Sequence, residues 1–234
     1  MREMFSLFEP QTWRYERKFV IQEMSRQEVE SIVLLHPAMF RKIYHERQVN
    51  NIYFDTFGMS NYLHNVVGNS QRVKVRIRWY GDMFGHIGKP VLEIKLKSGY
   101  LGSKISFPLE PFEMNGSLSI GEMRGLFQRS EHVPEAVRES LITLDFALLN
   151  SYVRAYFLSG NTNFRITIDS SLEYISIIPI RNTYMDKSLD HNTTILELKY
   201  AREYDEDAES ITNCFPFRVS KSSKYINGVD RKAI

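Results

Sequence analysis

One cysteine, Cys214, occurs in 234 residues. That excludes an internal disulfide framework and suits a reducing compartment, so a cytoplasmic location is expected. No apolar run of signal-peptide length opens the chain, and no run of 18 apolar residues occurs anywhere, so neither a cleaved leader nor a spanning helix is expected. Charge of one sign is not in excess: net charge is +2 with 30 Lys and Arg, which excludes a generally basic coat for nucleic acid. The six His are scattered without an i, i+4 pair, and no His or Cys nucleophile motif stands out. Repeats, low-complexity tracts and obvious linkers are missing too, so residues 1–234 read as one domain.

What is present is sheet-forming sequence. Thirteen Tyr and fifteen Phe favour the half-buried pleated surface of strands. Eight segments read as strands: 13–22, 48–56, 72–80, 90–98, 104–110, 149–159, 163–171 and 193–201. Turn signals such as FGMSN, YGDMFGHIGKP, SGYLGS and SGNTN separate most of them. GHIGKP is read as a turn, since Pro90 occupies the Ser/Thr position of a phosphate loop. Capping boxes at Ser25/Glu28 and Ser119/Glu122 predict helices, Pro134 predicts another in its first turn, and DAESITNC (207–214) a short fourth ending at a small buried Cys214. Many strands without βαβ alternation, helices inserted between hairpins, predict an α+β fold around an antiparallel sheet that curls toward a barrel.

The cations carry the functional signal. RVKVRIRWYG alternates Arg72, Lys74, Arg76 and Arg78 with Val73, Val75, Ile77 and Trp79, so four cations share one strand face at steps of roughly 6.8 Å. Lys18 shares a face with Glu16, Lys95 and Lys97 with Glu93, and Lys199 with Glu197. Lys104, Arg154 and Arg165 fall on three further strands, and Lys221 and Lys224 lie in a Ser-rich stretch with Ser223, ahead of Gly228. A wet outer face normally mixes signs, because like charges across strands repel. If helices cover the outside of the curled sheet, the cationic face points inward and must hold a polyanion: a triphosphate, a polyphosphate chain or a nucleic-acid backbone. Arg matches phosphate through its planar fork and Lys acts as a point charge. Glu16, Glu93 and Glu197 are then either ligands for Mg²⁺ or Mn²⁺ or acids that space the cations. Asp55 and Asp169 read as turn formers at strand ends, and Tyr53 and Tyr225 as packing residues.

Seven short motifs occur in a familiar order: Glu16-Arg17-Lys18-Phe19, Asn51-Ile52-Tyr53-Phe54-Asp55, Lys74-Val75-Arg76-Ile77-Arg78, Glu93-Ile94-Lys95, Arg165-Ile166-Thr167-Ile168-Asp169, Glu197-Leu198-Lys199 and Ser223-Lys224-Tyr225. From about Trp13 to Gly228 the chain resembles the VTC domain, the polyphosphate polymerase domain of the vacuolar transporter chaperone family, within the triphosphate tunnel metalloenzyme superfamily. The resemblance implies a closed eight-stranded antiparallel barrel with helices packed outside. Its lumen would bind ATP, inorganic polyphosphate and a divalent metal, Mn²⁺ or Mg²⁺. It implies Lys224, Arg76, Arg78 and Lys199 around the transferred phosphoryl group. Lys18, Lys74, Lys95, Lys97, Lys104, Arg154, Arg165, Lys221 and Ser223 would contact phosphate, with Glu197 as metal ligand and Glu16 and Glu93 as further candidates. One departure matters: the tunnel phosphatases and cyclases carry E-x-E-x-K on the first strand, whereas Arg14 stands here at the first acidic position. That favours the polymerase branch over the hydrolase branch. Without a membrane helix, export of a product would need a membrane-protein partner.

Two other functions share the cationic lining: a triphosphatase or polyphosphatase on the same barrel, and a polyphosphate-binding module without turnover. Nucleic acid is not expected as a partner, since the basic strands lack repeated exposed aromatics for stacking bases. Oligomeric state is not readable from the sequence.

Overall fold

The computed structural model describes residues 13–231. Eleven strands and six α-helices lie in this span: β1 (Arg14–Ile21), α1 (Arg26–Leu34), β2 (Arg41–Asp55), α2 (Ser60–Val66), β3 (Gln71–Tyr80), β4 (Gly85–Ile87), β5 (Val91–Ser98), β6 (Leu101–Pro108), β7 (Phe112–Met114), α3 (Ile120–Arg129), α4 (Glu135–Ile142), β8 (Asp145–Leu158), β9 (Phe164–Ile175), β10 (Lys187–Asp190), β11 (Thr194–Ala201), α5 (Asp205–Asn213) and α6 (Lys224–Asp230). Nine strands form one antiparallel sheet in the order β10-β9-β11-β1-β6-β5-β3-β2-β8. Strand β8 also pairs with β9, so eight strands close into a ring, and β10 lies on β9 beyond the reach of β11. The eight strands read from sequence are the eight of the ring. Strands β4 and β7 form a separate two-stranded ribbon.

Alternation explains why the ring has two chemically different faces. Val73, Val75, Ile77 and Trp79 of β3 and Leu92, Ile94 and Leu96 of β5 are buried, packed beneath Met123, Leu126 and Phe127 of α3 and Val137 and Leu141 of α4. On the far side, Phe19, Phe157, Ile166, Ile168, Leu196 and Leu198 pack beneath Val29 and Val33 of α1 and Ala208 and Ile211 of α5. Each apolar side chain so buried contributes about 1.5–3 kcal/mol. These helices hold the apolar face outward, which leaves the alternate, charged positions for the interior.

Both capping boxes form. Ser25 accepts from the Glu28 amide at 3.3 Å while its own amide donates to Glu28 at 2.7 Å; Ser119 and Glu122 repeat this at 3.2 and 2.7 Å. Pro134 is the N-cap of α4 rather than a residue of its first turn. Three readings are corrected. Cys214 is exposed at the end of α5, not buried, because Phe215 turns inward in its place. The FGMSN turn runs directly into α2, whose first amides are capped by Asp55. The GHI of GHIGKP is strand β4, not turn.

A third apolar cluster involves α6. Tyr225 is buried with Val49, Tyr53, Leu148, Tyr152, Leu172, Tyr174 and Ile195. Ile195 shares the strand face of Glu197, and Tyr152 that of Arg154, so α6 packs against the inner face of the ring. Gly228 makes this approach possible: a Cβ there would lie 2.4 Å from Leu148 Cδ2 and 2.6 Å from Tyr174 Cδ1.

Candidate functional site: a cation-lined barrel lumen

Register brings the charged residues of β3, β5 and β6 side by side. Arg76 pairs with Glu93, Glu93 with Ser106, and Lys95 with both Lys74 and Lys104. Glu93, 2% exposed, is the hub. Its Oε2 accepts from Arg76 Nε at 2.8 Å and Nη2 at 2.6 Å and lies 3.1 Å from Arg78 Nη2, while Oε1 accepts from Lys104 at 2.6 Å. Burial alone would raise its pKa, but Arg76, Lys95 and Lys104 outweigh burial and hold the carboxyl at about 2.

A second hub spans β1, β8, β9, β11 and α6. Glu197 contacts Lys199 at 2.7 Å, Lys18 at 3.3 Å, Arg154 at 3.5 Å and Lys224 at 3.9 Å. Asp169 accepts from Arg154 on both oxygens, Nε to Oδ1 at 2.5 Å and Nη2 to Oδ2 at 2.6 Å, and Lys224 Nζ shares Oδ2 at 2.5 Å. Against burial, Lys199, Lys18, Lys224 and Arg154 keep Glu197 well below the usual carboxylate range. Glu16 lies on the other side of Lys18, 3.3 Å away. Burial raises it, yet Lys18 leads the cations that bring it to about 2. Asp169 is therefore no turn former: β9 continues past it to Ile175, through a kink at Ser171 (φ 51°), and its carboxylate faces the lumen.

The segment after α5 completes the site. It runs beside β1, with the Ser220 amide donating to the Lys18 carbonyl at 2.8 Å. That places the Ser222 carbonyl 3.0 Å from Lys18 Nζ and Ser223 Oγ 2.7 Å from Lys74 Nζ. Ser223 caps α6, whose first residue is Lys224. Lys224 Nζ also lies over the Tyr152 ring, 4.7 Å from its centroid, with Arg154 at 5.1 Å. Sequence reasoning misses Tyr152 and Asp169 as site residues; the alternations Tyr152-Val153-Arg154 and Arg165-x-Thr167-x-Asp169 hold that signal.

Positive charge exceeds negative on this face. Among the described residues no ion pair reaches Lys74, Lys95, Lys97, Arg165 or Lys221, although strand parity puts the first four on the face of Arg76, Glu93 and Asp169. Burial, then the repulsion of Lys18, Arg72 and Lys97, lowers Lys74 to about 7. Burial and Arg76 push Lys95 well below its ordinary range. Lys97, Arg165 and Lys221 are exposed and sit toward the ends of the lining.

The acidic groups differ in what they can offer a metal. Among the described residues no group of three or more His, Cys, Asp or Glu side chains is placed to hold one alone. Glu197 and Glu16 flank the flexible Lys18 on adjacent strands, which suits a hard divalent ion that completes its shell with phosphate oxygens and water. Glu93 differs from them: Arg76, Arg78 and Lys104 meet both its oxygens, and none of these cations is shared with a second carboxylate among the described residues, as Lys18 is between Glu16 and Glu197.

The VTC domain family model matches residues 13–231. The chain belongs to the VTC domain family. Among solved structures, a Hippeastrum protein described as an adenylyl cyclase candidate with a dominant triphosphatase activity superposes with a TM-score of 0.55. It is 16% identical and covers 93% of this VTC chain and 96% of its own. An adenylate cyclase candidate from Vibrio parahaemolyticus gives a TM-score of 0.54 at 11% identity, over 92% and 98% of the two chains. A search of curated protein sequences finds no match. At these identities the likeness is one of fold: an antiparallel ring of eight strands, the triphosphate tunnel architecture. No helix of this VTC domain, among the described residues, is long and apolar enough to cross a membrane.

Proposed function

We propose that this VTC domain is a polyphosphate polymerase that transfers the γ-phosphoryl group of ATP to a growing inorganic polyphosphate chain in its lumen. The observation that carries the reading is the surplus of inward cations: Lys74 and Lys95 lie within the lining without an ion-paired carboxylate among the described residues, and Lys97 and Arg165 continue the same strand faces toward its exposed ends. Buried positive charge of this kind is unfavourable unless an anion arrives, and a chain of phosphates supplies one charge per residue along its length. Membership of the family and Arg14 in place of the first-strand acid support growth over hydrolysis.

Phosphoryl transfer asks little covalent chemistry of the protein. The terminal oxygen of the polyphosphate chain forms the new bond to the γ-phosphorus, the bond from that phosphorus to the β–γ bridging oxygen breaks, and ADP leaves with that electron pair. The acceptor oxygen is already ionised, so no general base is required. Lys224, Lys199, Arg76 and Arg78 neutralise charge on the equatorial and bridging oxygens, worth most where water is excluded. Arg154 and Asp169 hold Lys224 in place before substrate arrives. Lys18, Lys74, Lys95, Lys97, Lys104 and Arg165 bind and align the two chains, with Ser223 and Lys221 beside them. A divalent ion held by Glu197 and Glu16, Mn²⁺ or Mg²⁺, would neutralise further phosphate charge.

Incubation with ATP and Mn²⁺, followed by gel staining for polyphosphate, tests this. Net chain growth supports the polymerase. Release of phosphate alone would transfer the site to the triphosphatase reading, and binding without turnover to the non-catalytic one. Near-normal synthesis by both Lys224→Ala and Glu197→Ala would remove those residues from the mechanism.

A further inference from the structure

Two lumen cations, Arg76 on β3 and Lys224 on α6, are connected by a stack of two buried tyrosines. Tyr225 follows Lys224 directly, and its ring lies on Tyr53 with centroids 5.1 Å apart and planes inclined by 24°. The Tyr53 hydroxyl accepts from Arg76 Nη1 at 3.1 Å. The Tyr225 hydroxyl donates to Asp55 Oδ2 at 2.5 Å. Asp55 is itself immobile: 1% exposed, it accepts from the backbone amides of Thr56 at 2.7 Å, Asn61 at 2.9 Å and Tyr62 at 2.9 Å. The far end of α6 is fastened as well, by Tyr62 to Asp230 at 2.5 Å and Arg231 to Asp190 at 2.6 Å. Packing alone would be served by phenylalanine at positions 53 and 225. The two hydroxyls are bonded instead to one buried carboxylate and one buried guanidinium of the lining.

We propose that Tyr225 and Tyr53 are positioning residues: the Asp55–Tyr225 bond sets where Lys224 enters the lumen, and the stack on Tyr53 ties that position to Arg76. The two cations are thereby held at a fixed separation along the phosphate path before ligand binds. Little rearrangement entropy is then lost when a phosphate bridges them. This inference rests on the reading of Lys224 and Arg76 as phosphate-contacting groups.

Calorimetric binding of inorganic tripolyphosphate to the full chain tests it without requiring turnover. Tyr225→Phe keeps the ring and removes the bond to Asp55. It is expected to weaken tripolyphosphate about tenfold, and to have less than about a twofold effect in a protein that already carries Lys224→Ala, since there is then no ammonium to misplace. Tyr53→Phe is expected to weaken binding as well, and the double variant to be little worse than either single one. Thermal unfolding of each variant reads the packing component, which is expected to be equal whether or not Lys224→Ala is also present. An equal loss of affinity from Tyr225→Phe in both backgrounds, or no loss in the native background, overturns the inference while leaving the phosphate reading intact. Unchanged binding by Lys224→Ala would defeat that reading and the inference together.

Discussion

Replacing Glu93 with Gln removes one buried charge at nearly constant shape. The carboxylate is 2% exposed and is met by three cations, Arg76, Arg78 and Lys104, at 2.6 to 3.1 Å. Its pKa is held at about 2 against an ordinary 4.5, so the ionised form favours the folded state. At about 1.4 kcal/mol per pKa unit, that is about 3 kcal/mol at neutral pH. One-sided removal of a buried pair gives a similar figure, about 3–5 kcal/mol. Because the folded pKa is depressed, this contribution is complete above pH 4.5 and is lost as pH falls toward 2. In a chain of this length each kcal/mol moves Tm by about 2–4 °C, so Glu93→Gln should melt roughly 6–12 °C lower at pH 7 without ligand. Tripolyphosphate should restore much of that loss, because phosphate oxygens can take the place of the missing carboxylate beside Arg76 and Lys104. The assay is thermal unfolding with and without tripolyphosphate. A Tm equal to wild type, or a ligand-induced rise smaller than in wild type, would refute the reasoning.

Two further outcomes follow from single residues. Lys74 is lowered to about 7 in the free protein by burial and by Lys18, Arg72 and Lys97, which Glu16 offsets in part. An adjacent phosphate raises it, so binding takes up protons and affinity should fall as pH rises above 7, by up to about tenfold per unit. Calorimetry at pH 7.5 in two buffers of different ionisation heat measures the uptake, and Lys74→Met should reduce it; no uptake would remove Lys74 from the phosphate path. Gly228→Ala should destabilise by about 1–3 kcal/mol through overpacking, despite the better helix propensity of Ala, because its methyl meets the buried Leu148 and Tyr174. Denaturant unfolding reads this, and an unchanged midpoint would mean that α6 is seated less tightly than described.

The ring was legible because two-residue alternation is a local property. Seven of its eight strands place at least one cation on the face opposite apolar residues, a pattern that survives inspection one segment at a time. Partnership is not local. Nothing in LEIKLK says that Glu93 stands opposite Arg76 rather than Lys74; only the β3–β5 register decides it. Asp169 misleads for a related reason, since Asp-Ser-Ser resembles a turn and the continuation of β9 depends on β8 and β10 lying beside it. Helix α6 was hidden because KYINGVD is a poor helix by propensity. Its helicity comes from tertiary contact, with Gly228 pressed against the wall and Tyr225 bonded to Asp55. The cations of the lining could be read from sequence; the acids that hold them, and the tyrosines behind those, required the fold.

Lysine footprinting by acylation and mass spectrometry, with and without long-chain polyphosphate, tests most directly whether the cationic lumen is where phosphate lies. Lys18, Lys74, Lys95, Lys97, Lys199 and Lys224 should lose reactivity together when the polymer is present. Lys42, Lys89 and Lys187, which are exposed on other surfaces, should remain reactive. Protection spread evenly over both groups, or confined to the second, would contradict a phosphate path through the barrel.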